Sequence, residues 1–261
     1  MKGARRLALR VVAPPAAALL LLAAWQLYTA ASGVREATLP APTQVVAAIY
    51  ADRVLLLQNA LVTAGEIVVG YAAAIALGVG LAVLVHASPT VERALYPWLV
   101  VSQTLPIPAI APIIVVWTGF DLRPKVIVIA LVCFFPIVVN TVDGLKAAEP
   151  ELLDLLRTLG ASRWQRFRIA QLPASLPFVF SGLKVAAALS VIGAVFAEWV
   201  GSSSGLGYQI LVLNNQTATS DVFAVIVVLS LIGVGLFLLV GLVERLLLPW
   251  YYDARRETPA S

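Results

Sequence analysis

Six stretches of about twenty apolar residues divide this chain, at 11–31, 63–85, 95–117, 126–142, 178–200 and 222–248. Such a stretch is long enough to cross the hydrocarbon core of a bilayer as a helix, at a rise of about 1.5 Å per residue. In lipid an unpaired backbone group has no water to turn to, so only helices and closed barrels can span. The continuous apolar runs lack the alternation of barrel strands and predict helices. The segments between them are short, and none could build a separate soluble core. Hydrophobic residues make up 61% of the 261 and charged residues 12%, about half the charged share of a soluble domain. The expectation is one all-α, polytopic membrane domain over residues 1–261 with about six transmembrane helices and one cytoplasmic polar loop at 143–177.

A pI of about 9.4 would suit nucleic acid, but the placement of the charges excludes that partner. Lys2, Arg5, Arg6 and Arg10 precede the first run, and Arg93 follows the second. Lys146, Arg157, Arg163, Arg166 and Arg168 lie between the fourth and fifth, and Arg245, Arg255 and Arg256 end or follow the sixth. All fall on one side if the N-terminus is inside. The other side holds Arg35, Arg53, Arg123 and Lys125, and the 201–221 connector has no Lys or Arg. Lys/Arg-rich loops stay in the cytoplasm, which puts both termini and the polar loop there. The first run is longer than a signal-peptide core and reads as an uncleaved anchor. Cys133, the only cysteine, sits in an apolar run and has no partner for an intramolecular disulfide.

Local chemistry adds detail. Pro40 and Pro42 break the chain after the first run, and Thr43 can cap a short amphipathic helix with Val45, Val46, Ile49 and Tyr50 on one face. Gly65, Gly70, Gly78 and Gly80 suit close helix packing in lipid. The third run carries Pro106, Pro108 and Pro112. Prolines remove backbone donors, so this run is either a kinked helix satisfied by its neighbours or a broken one lining a wet path. In the second case Gln103 and Thr104, with Pro106 and Pro108, would face that path. Asn140 and Asp143 mark the end of the fourth run. Glu198, beside Trp199, is an interfacial acid or a group on the translocation path that shapes an outer gate or contacts substrate, and residues 202–208 read as a flexible outer turn.

The polar loop carries a leucine stripe (Leu152, Leu155, Leu156, Leu159) with Asp154, Arg157 and Thr158 turned away from it. Gly160 can end that helix in a left-handed turn. Ser162 can cap a second short helix bearing Trp164 and Phe167, and Pro173 and Pro177 lead into the fifth run. No Walker lysine motif occurs, and a single histidine, His86, leaves no metal site and no catalytic triad. Glu66 and Lys184 are the clearest ionisable groups within the runs, too few for a proton relay. Neither a cofactor nor a catalytic residue is indicated.

Gly160 and Leu172-Pro173 in this frame, with Asp154 where a glutamate is usual and Leu155-Leu156 where two alanines are usual, resemble the cytoplasmic loop of ABC importer permeases. Thr158-Leu159-Gly160-Ala161-Ser162, the 196–201 stretch and Gly205-Leu206-Gly207-Tyr208 are most similar to the nitrate, sulfonate, taurine and pyrimidine-precursor group, over about 39–250. The resemblance implies a non-enzymatic transport subunit in a bacterial inner membrane. Its partners would be a second permease subunit, expected as a homodimer, two cytoplasmic ATP-binding subunits, an extracytoplasmic substrate-binding protein and membrane lipid, whose anionic headgroups the loop arginines would attract. Asp154 to Ala161, with Leu172 and Pro173, would couple ATP hydrolysis to transport. The cargo expected is a small polar or anionic organic solute, with a thiamine pyrimidine precursor ahead of sulfonate, taurine or nitrate. A stand-alone secondary transporter or channel is the alternative, and a membrane enzyme a more distant one.

Overall fold

The structure is a computed structural model that describes the backbone of residues 2–257 and the side chains of residues 12–253. The basic side chains expected to mark the cytoplasmic ends at Lys2, Arg5, Arg6, Arg10, Arg255 and Arg256 lie outside the described side chains. Regular structure among the described residues is entirely helical, as the apolar runs predict. In chain order it comprises α1 (Lys2–Ser32), α2 (Pro42–Ala51), α3 (Arg53–Ala87), α4 (Pro89–Ser102), α5 (Ile107–Thr118) and α6 (Leu122–Lys146), then α7 (Pro150–Thr158), α8 (Arg163–Arg166), α9 (Leu172–Gly201), α10 (Leu206–Asn215), α11 (Thr219–Leu247) and α12 (Pro249–Glu257). A π-helical turn, Phe167–Gln171, joins α8 to α9. Among the described residues, five helical segments are long and apolar enough to cross a bilayer, and the bent pair α4–α5 makes a sixth if it is counted as one span.

Residues 1–59 with 209–228 form one compact unit, and 60–208 with 229–261 form another. In the first, Trp25 of α1 packs on Phe223 with ring centroids 5.8 Å apart. The Thr219 hydroxyl donates to the Ala37 carbonyl at 2.8 Å. Helix α2 begins at Pro42, one residue before the expected cap. Pro42 needs no donor in the first turn, and Gln44 reaches back to accept from the Ala41 N–H at 2.7 Å, so Thr43 has no capping role. The connector expected over 201–221 contains a helix of its own, α10.

In the second unit α6 and α9 make the most extensive helix pair. Glycines set their separation. A Cβ added at Gly182 would lie 2.7 Å from the Pro136 carbonyl oxygen, and one at Gly144 would lie 2.7 Å from Phe178 Cβ. On α3, Gly70 and Gly78 do the same against Ile129 and Ile137 of α6, whereas Gly65 and Gly80 face open space. Close approach brings dispersion contacts that replace the hydrophobic drive missing in lipid. Ile67, Ile129, Cys133, Ile137, Ala186 and Ala194 fill the core between these helices.

The third run is broken. Helices α4 and α5 bend by 102° at residues 103–106. Pro106 is extended (φ −71°, ψ 110°), the non-helical conformation of the N-cap residue of α5. The Ser102 and Thr104 hydroxyls donate to the carbonyls of Leu99 and Val101 at 2.7 and 2.8 Å, which satisfies acceptors at the end of α4. Two other boundaries differ from expectation. Helix α6 does not turn at Asp143 but continues to Lys146. Pro173 and Pro177 are not a separate lead-in, because 163–201 runs on as a single helical rod. The π-turn allows this: the Leu172 N–H bonds back to Phe167, a wider ring that accommodates the missing donor of Pro173.

Replacing Gly182 by alanine should lower stability by roughly 1–3 kcal/mol through overpacking. Gly80→Ala, in open space, should stay within about 0.5 kcal/mol. Thermal unfolding of the two purified variants in detergent checks this, and equal melting would remove the close-approach argument.

Candidate functional site

Two groups of residues stand at opposite ends of the second unit. One is the polar loop after α6. Helix α7 starts at Pro150, carries Glu151 in its first turn and Arg157 in its last, and so complements its own dipole at both ends. Gly160 takes φ +79°, the left-handed conformation expected. The Gly160 N–H donates to the Arg157 carbonyl at 3.0 Å and the Ala161 N–H to the Leu156 carbonyl at 2.9 Å, the paired bonds of a Schellman motif. Ser162 and Gln165 then cap α8 reciprocally: the Ser162 N–H donates to Gln165 Oε1 at 2.7 Å, and the Gln165 N–H to Ser162 Oγ at 3.3 Å.

The two faces of α7 differ. Leu152, Leu155 and Leu159 are exposed, Leu159 by 73%. Leu156, expected in the same stripe, is half-buried with Leu153 on the inner side. Asp154 and Thr158 are exposed, and Asp154 pairs with Arg157 at 2.9 Å. Leu172 and Pro173 lie beyond the π-turn in the first turn of α9. The structure thus brings Asp154 to Ala161 together as a helix and its cap, with Leu172 and Pro173 on the returning rod.

At the other end lies a buried polar network. Glu198 is 0% exposed, enclosed by the protein itself. Its Oε1 accepts from the Thr63 hydroxyl at 2.6 Å. Its Oε2 accepts from the Gly207 N–H at 2.5 Å and the Tyr208 N–H at 3.3 Å. These are free donors in the first turn of α10, where a carboxylate is stabilised by the helix dipole. Thr63 Oγ1 also accepts from the Leu206 N–H at 2.9 Å. Gly205 takes φ +105°, and a Cβ there would collide with the Glu198 carboxyl group. The 202–208 segment is therefore not the flexible turn expected but a cradle pinned round one carboxylate.

Beside it, Lys125 of α6, expected in an outer connector, is buried. Its ammonium donates to Glu66 of α3 at 2.5 Å and to the Ser202 hydroxyl at 2.9 Å. A second internal pair joins Lys184 of α9 to Glu244 of α11, and the Tyr252 hydroxyl donates to Glu244 at 2.7 Å. That hydrogen bond pushes the Tyr252 phenol up from its ordinary pKa. Both pairs were missed from sequence. The usable signal was Glu66, Lys184 and Glu244 in or beside apolar runs, since such groups need counter-charges. Gln103, Thr104, Pro106 and Pro108, by contrast, are exposed at the α4–α5 break and are not gathered with Glu198.

No cluster that could hold a metal ion occurs among the described residues. Long apolar helices joined by internal ion pairs, with one bent helix pair among them, make up a polytopic membrane protein. The family of inner membrane components of binding-protein-dependent transport systems matches residues 74–249. This chain is 40% identical over 233 residues to a formylaminopyrimidine transport permease of Halalkalibacterium halodurans, covering 89% of this chain and 93% of that one. It is 34% identical over 238 residues to a riboflavin transport permease of Chloroflexus aurantiacus, covering 90% and 89%. The crystal structure of an amino acid ABC transporter shares the fold, with a TM-score of 0.54 at 17% identity over 76% of this chain and 96% of that one. The chain belongs to the binding-protein-dependent permease family, in the nitrate, sulfonate, taurine and pyrimidine-precursor group, and is an ABC importer permease subunit for small solutes, not an enzyme.

Removing one member of the Lys125–Glu66 pair should destabilise by about 3–5 kcal/mol, because it leaves a buried charge without its partner. Lys125→Met or Glu66→Met alone should therefore lose monodispersity on size exclusion or melt well below the parent. The double variant should recover most of the loss. Equal behaviour of all three would show that the pair carries no stability.

Proposed function

We propose that this chain is the membrane-spanning half of an ATP-driven importer, coupled to separate ATP-hydrolysing subunits through the exposed face of α7. The observation that carries this reading is the Leu152–Leu155–Leu159 stripe. Three leucines at helical spacing are presented outward on a helix that is itself fixed by a Schellman cap at Gly160. An apolar helix face of this kind suits a groove in a partner. In this reading ATP-driven closure of the partners moves α7, and the α8–π–α9 rod passes that displacement into the membrane. A second permease subunit, taken here as another copy of this chain, completes the path, and an extracytoplasmic binding protein delivers the cargo. Gln103, Thr104, Pro106 and Pro108 at the α4–α5 break are proposed to face the path. Glu198 would act on it indirectly, by holding the cradle at the outer end.

The orientation proposed puts α7, α8 and both termini in the cytoplasm, from the Lys/Arg asymmetry. Ser162 and Ser203 are both exposed and Cys133 is buried, so single cysteines at 162 and 203 in a Cys133→Ser background are suitable reporters. Impermeant thiol reagent added outside should label position 203 and spare position 162. The reverse pattern would overturn the orientation.

Gly160→Val tests coupling. Nothing stands within 4 Å of a Cβ at Gly160, so the change strains the backbone without a clash. A β-branched residue resists φ +79°, at a cost of roughly 1–2 kcal/mol. The variant should insert normally yet lose substrate-stimulated ATPase activity in the assembled complex, and Leu155→Glu should reduce co-purification of the ATPase. Full activity in both would remove α7 from the mechanism, in favour of a transporter working alone.

For the cargo we propose a pyrimidine precursor of thiamine. The support is the 40% identity to the formylaminopyrimidine permease, against 34% to the riboflavin permease. Calorimetry of the cognate binding protein decides it. Binding of a formylaminopyrimidine or hydroxymethylpyrimidine and none of taurine, an alkyl sulfonate or riboflavin is expected; tight binding of one of the latter would reassign the cargo and leave the permease assignment intact.

A further inference from the structure

A cavity of about 700 Å³ lies behind α7, on the side away from its exposed leucines. Arg157 of α7, Arg163 and Arg166 of α8, and His86 in the last turn of α3 line it, and no acidic residue does. Asp154 neutralises Arg157 from outside the cavity, at 2.9 Å, and among the described residues no carboxylate pairs with Arg163 or Arg166. The Nε of Arg166 is buried and has no hydrogen-bond partner. A buried guanidinium nitrogen in that condition calls for an acceptor, and arginine's fork matches the oxygens of a phosphate.

Depth selects the source of that phosphate. Span α3 ends at Ala87, so His86 stands where the apolar layer meets water, and Val83 lies one turn deeper on the same wall. Trp164 and Phe167 stack at 5.5 Å beside the arginines, an aromatic pair of the kind that settles at membrane interfaces. The cavity therefore offers cationic donors at headgroup level above an apolar wall. Basic pockets of this form on a cytoplasmic face take anionic lipid headgroups. We infer that this cavity is a binding site for the phosphate headgroup of an anionic phospholipid of the inner leaflet. Its occupant bridges α3 to the α7–α8 pair. Lipid and ATPase can be held together, because Leu153 and Arg157 face the cavity while Leu152, Leu155 and Leu159 face away. The inference rests on the cytoplasmic orientation proposed above, but its test does not require the ATPase.

The full-length chain, purified in detergent, is titrated with phosphatidylglycerol or phosphatidylcholine and followed by native mass spectrometry. The parent should retain phosphatidylglycerol in preference to phosphatidylcholine. Arg163→Gln/Arg166→Gln should weaken that retention about tenfold or more, given the contribution of each basic group near a membrane surface. Arg35→Gln/Arg53→Gln, which removes the same charge elsewhere, should leave it unchanged. Millimolar inorganic phosphate should not displace the lipid. Photoactivatable phosphatidylglycerol on the unmutated chain should label the peptide over 163–171, so the test survives a variant that fails to fold. No anionic preference, an equal loss in the Arg35/Arg53 control, displacement by phosphate or label confined to other segments would each overturn the site. Retention of the ATPase by the Leu155→Glu variant, with lipid preference intact, would instead count against the coupling proposed for α7 and leave the lipid site standing.

Discussion

Whatever polar group this chain carries into the apolar layer must be satisfied by the chain itself. Water is absent there, and an unpaired charge or backbone donor costs several kcal/mol. The architecture of the second unit follows from that demand. Lys125 meets Glu66, Lys184 meets Glu244, and Glu198 takes the Thr63 hydroxyl and two N–H groups of α10. The two ion pairs and the Thr63–Glu198 bond join helices far apart in sequence, so satisfying a charge also fixes which helices are neighbours. The Glu198 network explains the glycines at 205 and 207. Any side chain there would occupy the space that the carboxylate needs, and its backbone donors would be lost.

Close helix approach is the complementary constraint. Gly70, Gly78, Gly144 and Gly182 let α3 and α9 lie against α6 with almost no side chain between them. Leucines at those positions would have been equally apolar and would have kept the helices apart. In lipid that difference decides association, because burial of apolar area brings no gain and packing does. The prolines act in the opposite sense. Those of the third run break it at 103–106, and the freed carbonyls are taken up by Ser102 and Thr104. Pro173 is instead absorbed by a π-turn without interrupting the rod. The same residue type thus breaks one span and leaves another continuous, according to whether a neighbouring backbone N–H can re-register to a carbonyl within the helix.

The proposed coupling face and the proposed lipid cavity are two sides of one short helix. Residues 152, 155 and 159 point one way and 153 and 157 the other, a consequence of 3.6 residues per turn. A permease that must transmit motion through such a small element needs it held at its base and free at its outer face. The Schellman cap at Gly160 holds the base by backbone bonds, and the Ser162–Gln165 capping box holds it by reciprocal side-chain-to-backbone bonds.

Much of this was legible in the sequence because it depends on local rules. Apolar run length located the spans, although α3 starts at Arg53, well before its run at 63, and α6 and the α8–α9 rod also run further than composition suggested. The glycine at 160, the serine at 162 and the prolines at 106 and 108 declared their turns, since each acts on its own backbone. The loop frame and the 196–208 stretch were enough to place the chain in its family. What remained hidden were the pairings across the bundle. Nothing near Lys125 in the sequence points to Glu66, 59 positions earlier, or near Glu198 to Thr63, 135 positions earlier. Whether Leu156 joins the outer stripe or turns inward likewise depends on what lies behind α7. Sequence fixes conformation wherever the deciding forces act within a turn or two, whereas counter-charges, close-approach partners and cavities exist only once distant helices have been brought together.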